Sequence, residues 1–222
     1  QDSAKLEQIK KAVQAKLPPK AGDVDSVTKT PYLGLYEVNA GGDIFYTDEN
    51  VTYLFLYEVI EAKTLQNLTE ERRRKLNAIK WDTLPLNKAI KLVRGNGKRK
   101  IAVFSDPDCP FCKRFEKQML SVDDVTIYTF LLPIASLHPQ APEKSKDIWC
   151  SADRTKAWYD LMLKDVAVPN APDCETPIND IAQIGQKHRI NGTPTLVFAD
   201  GRVVPGAVPA TEVEKYLSGA EK

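Results

Sequence analysis

The chain has 222 residues and a formal net charge of +1, so its charge gives no reason to expect binding to nucleic acid or to an anionic membrane. No apolar run approaches the ~20 residues that a membrane-spanning helix needs. Its four cysteines form one close pair and one distant pair, which suggests two different roles.

The first 61 residues are predicted to form a small α+β domain. An amphipathic helix over 3–17 is followed by strands and tight turns, among them a long strand over 51–60. A unit of this size buries too little surface to be comfortably stable alone, and its outer strands would be open edges. We therefore expect residues 1–61 to form a homodimer.

Residues 62–82 are predicted to be a linker that contains a helix over 68–80, with Thr69 as its N-cap. Four consecutive basic residues occupy positions 72–75. A binding patch is one interpretation. We favour the solvated face of a linker helix, because the charge of the whole chain is balanced.

From residue 83 to residue 222 strands and helices alternate, which predicts an α/β domain. An apolar strand over 101–105 runs into a turn and then a helix with Phe111, Phe115 and Met119 on one face. Another strand covers 125–132, and a mostly helical insertion broken by prolines covers about 134–190. A hairpin near 195–204 and a helix over 211–218 complete the chain.

The close cysteine pair, Cys109 and Cys112, lies where the strand over 101–105 gives way to the helix. A thiolate at a helix N-terminus is stabilised by free backbone N–H groups and by the helix dipole. Pro110 suits the first helical position, and Lys113 and Arg114 add positive charge. We interpret Cys109 as the exposed, attacking thiolate and Cys112 as the shielded, resolving thiol. Zinc binding is the main alternative, but no second close pair of ligands is evident.

The distant pair, Cys150 and Cys174, is interpreted as a structural disulfide, which requires an oxidising compartment. A second redox shuttle is the alternative. It is less favoured because neither cysteine lies in a C-x-x-C motif or in an evident electropositive pocket.

Gly192-Thr193-Pro194 precedes an apolar strand, and together with the C-x-x-C motif it resembles the thioredoxin superfamily. The resemblance implies that Pro194 follows a cis peptide bond and that Thr193 contacts bound substrate. Three further segments are similar to the DsbC family of periplasmic disulfide isomerases: 104–113, the Trp149-Cys150 helix, and the ending that runs to Pro205-Gly206.

The DsbC resemblance covers nearly the whole chain and implies a dimerisation domain, a linker helix and a thioredoxin-like catalytic domain with a helical insertion. It also implies a periplasmic protein of a Gram-negative cell, and since no signal peptide is evident we expect this to be a mature sequence. The implied partners are misfolded disulfide-containing secreted proteins and a membrane thiol donor of the DsbD type. No metal or organic cofactor is expected beyond the redox-active pair of Cys109 and Cys112.

This sequence departs from the related proteins in two features. The DsbC proteins carry Gly-Tyr between the cysteines, whereas this chain has Pro110 and Phe111, and a proline is typical of the related DsbG branch. The buried acid of thioredoxin is replaced by Val103, so proton handling must differ. Asp106 is nearer to Cys109 in sequence than Val103 is. It could transfer protons or form the turn that leads into the helix, and the sequence does not favour one role over the other.

The expected function is isomerisation and reduction of non-native disulfides. The alternatives are a DsbG-like reductase that rescues sulfenic acids, with chaperone activity, and a thiol oxidase. His138 and His188 are expected to be surface or helix residues rather than catalytic ones, and no Ser-His-Asp spacing indicates a hydrolase.

Overall fold

The computed structural model describes residues 2–219 and separates into two compact units between Asn77 and Ala78. We call them the N-terminal unit and the C-terminal unit. Over the described range, no helix combines the length and the apolar character needed to cross a membrane.

The N-terminal unit packs one helix on a four-stranded antiparallel sheet. Ile9 and Val13 are the buried positions of the helix, and they contact the apolar face of the sheet. Gly41 and Gly42 both have positive φ and form the two-residue turn between the second and third strands, which only glycine adopts at little cost. The elements are α1 (Asp2–Gln14), β1 (Val24–Lys29), β2 (Tyr36–Ala40), β3 (Asp43–Thr47) and β4 (Leu54–Phe55), with the strands in the order β1-β2-β3-β4.

The long strand predicted over 51–60 is wrong. Only β4 pairs with β3, through Tyr46–Phe55 and Thr47–Leu54, and its other edge has no strand partner among residues 2–219. The aromatic and aliphatic side chains that suggested this strand are instead exposed to solvent, and the exposed fraction of Tyr57 is 88%. The residues of this exposed apolar segment are Tyr53, Leu54, Phe55, Leu56 and Tyr57.

The predicted linker helix is α2 (Leu68–Leu76), and it belongs to the N-terminal unit. Its N-cap is Asn67, whose side chain accepts from the Glu70 N–H at 2.9 Å, so the prediction of Thr69 was wrong. Thr69 is buried and bonds to the Tyr46 hydroxyl at 2.6 Å. In the basic run, Arg72, Arg73 and Lys75 all form ion pairs with glutamates of the same unit.

The C-terminal unit has a thioredoxin-like fold with a helical insertion, which confirms the predicted fold class. Its five-stranded sheet has the order β5-β7-β6-β8-β9, and only β6 and β7 run parallel. The strands are β5 (Ile90–Arg94), β6 (Arg99–Ser105), β7 (Val125–Leu131), β8 (Thr195–Phe198) and β9 (Val203–Pro205). The helices are α3 (Pro110–Met119), α4 (Ala141–Cys150), α5 (Arg154–Lys164), α6 (Ile178–Lys187) and α7 (Ala210–Ser218). The insertion consists of α4, α5 and α6, between β7 and β8.

Strand β6 is the centre of this unit because both of its faces are buried. Its residue Val103 lies in one core cluster with Phe115 of α3, while Phe104 lies in another with Ile181 of α6. A strand buried on both faces must be apolar throughout, which explains the uninterrupted run at 101–104. The carboxyl end of β6 leads directly to the cysteine pair.

Cys150 and Cys174 are joined in a disulfide with a Cα–Cα distance of 5.7 Å. The bridge ties the end of α4 to the segment that follows α5. Cys109 and Cys112 are free thiols.

Replacing Cys150 and Cys174 together by alanine is expected to destabilise the C-terminal unit by about 3 kcal/mol, since a cross-link of this sequence separation limits the unfolded chain. Urea unfolding followed by tryptophan fluorescence measures this, because Trp81, Trp149 and Trp158 all lie in that unit. A difference below ~1 kcal/mol would contradict a stabilising role.

Candidate active site

The turn between β6 and α3 places Cys109 at the start of a helix. The Cys109 N–H donates to the Asp106 carbonyl at 3.2 Å, which closes the turn. Cys109 is the N-cap of α3, with extended backbone, and Pro110 is the first helical residue. Proline is suited to this position because the first N–H groups of a helix have no partner within it.

Cys109 is only 4% exposed, so the expectation of an exposed attacking cysteine is wrong. Its Sγ lies 3.3 Å from the carbonyl oxygen of Thr193. Its pKa is lowered to about 5, first by a hydrogen bond from the Cys112 thiol. Burial opposes this, while Thr193 and the backbone N–H groups of Cys112 and Phe111 lower the pKa further. A thiol with this pKa is a thiolate at neutral pH, the form that attacks disulfides.

Cys112 has no solvent exposure, and its pKa is raised, first by burial and then by its interaction with Cys109. The two sulfurs therefore differ in protonation. Cys109 carries the negative charge, and Cys112 supplies a proton that stabilises it. This asymmetry assigns different chemistry to the two thiols.

The loop before β8 brings the predicted proline to the cysteine pair. The Thr193–Pro194 peptide bond is cis, and Thr195, the first residue of β8, pairs with Phe104 at the end of β6. Cys109, Cys112 and Thr193 thus come together although they are far apart in the chain.

Phe111 was predicted to share one face of α3 with Phe115 and Met119, but it is not buried with them. Its ring is 55% exposed beside Cys109, with the Arg114 guanidinium 5.2 Å from its centre. The buried face consists of Cys112, Phe115, Glu116 and Met119. Lys113 is ion-paired with Asp165, so it is already engaged away from the sulfur.

Asp106 is fully buried, and both of its carboxylate oxygens accept hydrogen bonds. Oδ1 accepts from the Asp108 N–H at 2.8 Å. Oδ2 accepts from the Ile134 N–H at 2.7 Å and is 3.0 Å from Nδ1 of His138. Asp106 therefore shapes the helix entry and also binds the loop that follows β7.

Sequence reasoning did not single out Glu116, and it did not expect His138 to lie at the site. Glu116 lies one helical turn after Cys112, and its Oε1 accepts from Nε1 of Trp158 at 3.0 Å. Burial raises the pKa of Glu116 to about 7. The four-residue spacing from Cys112 could have revealed it. No sequence signal marked His138, because its position depends on the loop after β7.

Among residues 2–219, no cluster of three or more His, Cys, Asp or Glu side chains is arranged to hold a metal ion. The zinc alternative therefore has no ligand set in the described part of the chain.

Comparisons with known proteins agree with this geometry. Residues 86–221 match the thioredoxin-like domain family, and residues 1–70 match the N-terminal domain of disulfide bond isomerase proteins. The chain is 42% identical to a Bordetella parapertussis protein named "Probable thiol:disulfide interchange protein DsbC", over 88% of this chain and 68% of that protein. It is 25% identical to the Escherichia coli thiol:disulfide interchange protein DsbC, over 94% of this chain and 86% of that protein.

Among solved structures, a disulfide interchange protein from Neisseria gonorrhoeae is similar, with a TM-score of 0.60 and 47% identity. The match covers 63% of this chain and 99% of the Neisseria chain.

Alkylation of Cys109 by iodoacetamide is expected to show a midpoint near pH 5, because only the thiolate reacts. Cys112→Ala should move the midpoint upward, since the Cys112 thiol is the largest contributor to the lowered pKa. Mass spectrometry of the quenched reaction identifies the modified residue. A midpoint above pH 8 in the wild-type protein would contradict the assignment.

Glu116→Gln is expected to change how stability depends on pH. The folded-state pKa of Glu116, about 7, is above its ordinary value of 4.5, so folding favours the neutral acid. Wild-type stability should therefore fall as pH rises from about 4.5 through 7, by up to ~3 kcal/mol relative to the glutamine variant. Urea midpoints of both proteins at pH 4.5 and pH 8 measure this, and equal pH slopes would exclude a buried titrating carboxyl.

Proposed function

The chain belongs to the DsbC family of thiol:disulfide interchange proteins, and on that basis we propose that it isomerises and reduces non-native disulfides with Cys109 as nucleophile and Cys112 as resolving thiol. The observation that carries the proposal is the opposite displacement of the two pKa values, downward for Cys109 and upward for Cys112. The proposed chemistry uses no metal or organic cofactor.

The reaction begins when the Cys109 thiolate attacks one sulfur of a substrate disulfide. A mixed disulfide forms, and the other substrate sulfur leaves as a thiolate. For isomerisation, a different substrate thiolate attacks the mixed disulfide and expels Cys109, with no net electron transfer. Cys109 is a good leaving group because its thiolate is stable at neutral pH.

For reduction, Cys112 attacks the mixed disulfide instead, releases the reduced substrate and leaves a Cys109–Cys112 disulfide. Two electrons have then passed to the substrate. The buried Cys112 must lose its proton before it attacks, so resolution is slower than attack and gives the substrate time to rearrange. A thiol donor of the DsbD type at the membrane is the proposed source of replacement electrons.

Substrate chains are proposed to lie along the loop of Thr193 and Pro194, with the backbone of Thr193 as a hydrogen-bonding partner. The exposed ring of Phe111 offers an apolar contact beside Cys109. Misfolded secreted proteins expose both apolar segments and wrong disulfides, and they are the proposed substrates. The balanced charge of the chain argues against nucleic acid as a partner.

The N-terminal unit is proposed to form a homodimer through the exposed apolar segment. An open edge at β4 and five exposed apolar side chains would favour aggregation unless a second copy covers them. Two catalytic sites held on one substrate raise the effective concentration of the second site. That arrangement favours isomerisation over single reductions.

A periplasmic location is proposed because stable disulfides such as Cys150–Cys174 persist in oxidising compartments. The low pKa of Cys109 also suits a thiol oxidase, since a stabilised thiolate makes the Cys109–Cys112 disulfide more oxidising. Oxidase activity is therefore the second candidate, and a DsbG-like reductase is the third.

Reactivation of scrambled ribonuclease A separates these candidates. The wild-type protein is expected to restore ribonuclease activity, and Cys109→Ala should abolish this. Leu56→Asp should give a monomer in sedimentation velocity and reactivate about tenfold more slowly or worse, while still reducing insulin. The matched control is Leu120→Asp, since Leu120 is 59% exposed on the C-terminal unit and Leu56 is 66% exposed.

Failure of the wild-type protein to unscramble ribonuclease would overturn the isomerase proposal. Insulin or sulfenic-acid reduction alone would then indicate the DsbG-like reductase. Oxidation of reduced ribonuclease without unscrambling would indicate the oxidase. A dimeric Leu56→Asp protein would exclude the proposed interface.

A further inference from the structure

His138 is fixed at the edge of the active site by its backbone and its ring. Its N–H donates to the Ile134 carbonyl at 2.8 Å, and its Nδ1 is 3.0 Å from Oδ2 of Asp106. Asp106 is fully buried, so the ring is held by a carboxylate that cannot move into solvent. Nε2, on the opposite side of the ring, has no hydrogen-bond partner in the part of the chain that the structure describes.

Several charged groups face this histidine. The hydrogen bond with Asp106 is the main cause of the raised pKa of His138, and the negative charges of Cys109 and Asp108 raise it further. Lys144 of α4 is the nearby cation, but it is engaged in an ion pair with Asp108. The His138 side chain is 22% exposed, so protons can reach it from water.

Resting on the proposed exchange reaction, we infer that His138 is a catalytic acid and base of this site, held by Asp106 as its positioning residue. Its imidazolium stabilises the attacking Cys109 thiolate, and its Nε2 proton passes to the thiolate that leaves the substrate. Asp106 links the two groups, because its backbone carbonyl accepts from the Cys109 N–H at 3.2 Å and its Oδ2 lies 3.0 Å from the His138 ring. The imidazole is thus held beside the turn that carries the nucleophile, where one side chain can supply both functions.

The step balances without any outside reagent. Cys109 forms a bond to one substrate sulfur, and the substrate S–S bond breaks. The leaving sulfur takes the electron pair and the proton from Nε2, which leaves a neutral imidazole. In the reverse direction, the neutral imidazole accepts the proton of a substrate thiol as that thiol attacks the mixed disulfide. This transfer restores the imidazolium. When no substrate thiol attacks, a proton from solvent water restores it.

The first test measures the coupling between His138 and Cys109 directly. The chain has two histidines, so NMR titration of a His188→Gln background observes His138 alone. Cys109→Ser removes the thiolate and should lower the His138 pKa by about one pH unit. His138→Gln should raise the Cys109 alkylation midpoint by the same amount, because linkage requires that the two shifts be equal.

The second test separates proton transfer from a structural role. His138→Gln should lower the rate at which the reduced protein reacts with glutathione disulfide by about tenfold or more. The leaving glutathione thiolate is an alkyl thiolate, and it needs a proton to leave. An aromatic thiolate leaves without a proton. The reaction with an aromatic disulfide should therefore slow only in proportion to the fall in the fraction of Cys109 that is ionised. His188→Gln is the matched control and should behave as wild type in both reactions.

Unchanged pKa values of both groups, or equal losses with the two disulfides, would overturn the inference. A wild-type protein that fails to exchange either disulfide would instead overturn the proposed function. The NMR arm distinguishes these outcomes, since it needs no substrate.

Discussion

The buried carboxylate of Asp106 is the constraint on which the active site depends. It is placed by the end of β6, a strand buried on both faces, and it accepts hydrogen bonds from two separate loops. One loop enters α3 and sets the position of Cys109, and the other carries His138. A buried carboxylate without these partners would be strongly destabilising, so its hydrogen bonds fix both loops together.

The asymmetry of the two thiols follows from that placement. They are three positions apart, yet Cys109 is the N-cap of α3 and Cys112 lies within the helix and faces the core. Free backbone N–H groups and the Cys112 thiol stabilise a charge on Cys109, while burial prevents a charge on Cys112. A single helix entry thus places the proposed nucleophile and the proposed resolving thiol in opposite electrostatic environments. Val103 replaces the buried acid of thioredoxin. Glu116, one helical turn after Cys112, is a buried acid that titrates near neutral pH in this chain.

Much of the fold and of the site could be predicted from the sequence. The strand, the C-x-x-C motif and the helix around Cys109 form a local sequence pattern, and so does the Gly-Thr-Pro loop. The sequence also predicted the two-part fold, the helical insertion and the disulfide between Cys150 and Cys174. The exposure of Phe111 was missed because helical periodicity gives a face but not its direction. The unpaired segment after β3 was missed because apolar strands look alike whether their partner is in the chain or outside it. His138 required the tertiary path of the loop after β7, which no local pattern specifies.

The most direct test of this account is covalent trapping of a substrate on the nucleophile. A Cys112→Ala protein incubated with scrambled ribonuclease A should accumulate a mixed disulfide through Cys109, identified by non-reducing peptide mass spectrometry and released by dithiothreitol. A Cys109→Ala protein should form none, because the buried Cys112 thiol is protonated and inaccessible. Adducts on Cys112 in the Cys109→Ala protein, or none on Cys109 in the Cys112→Ala protein, would contradict the assignment of attacker and resolver.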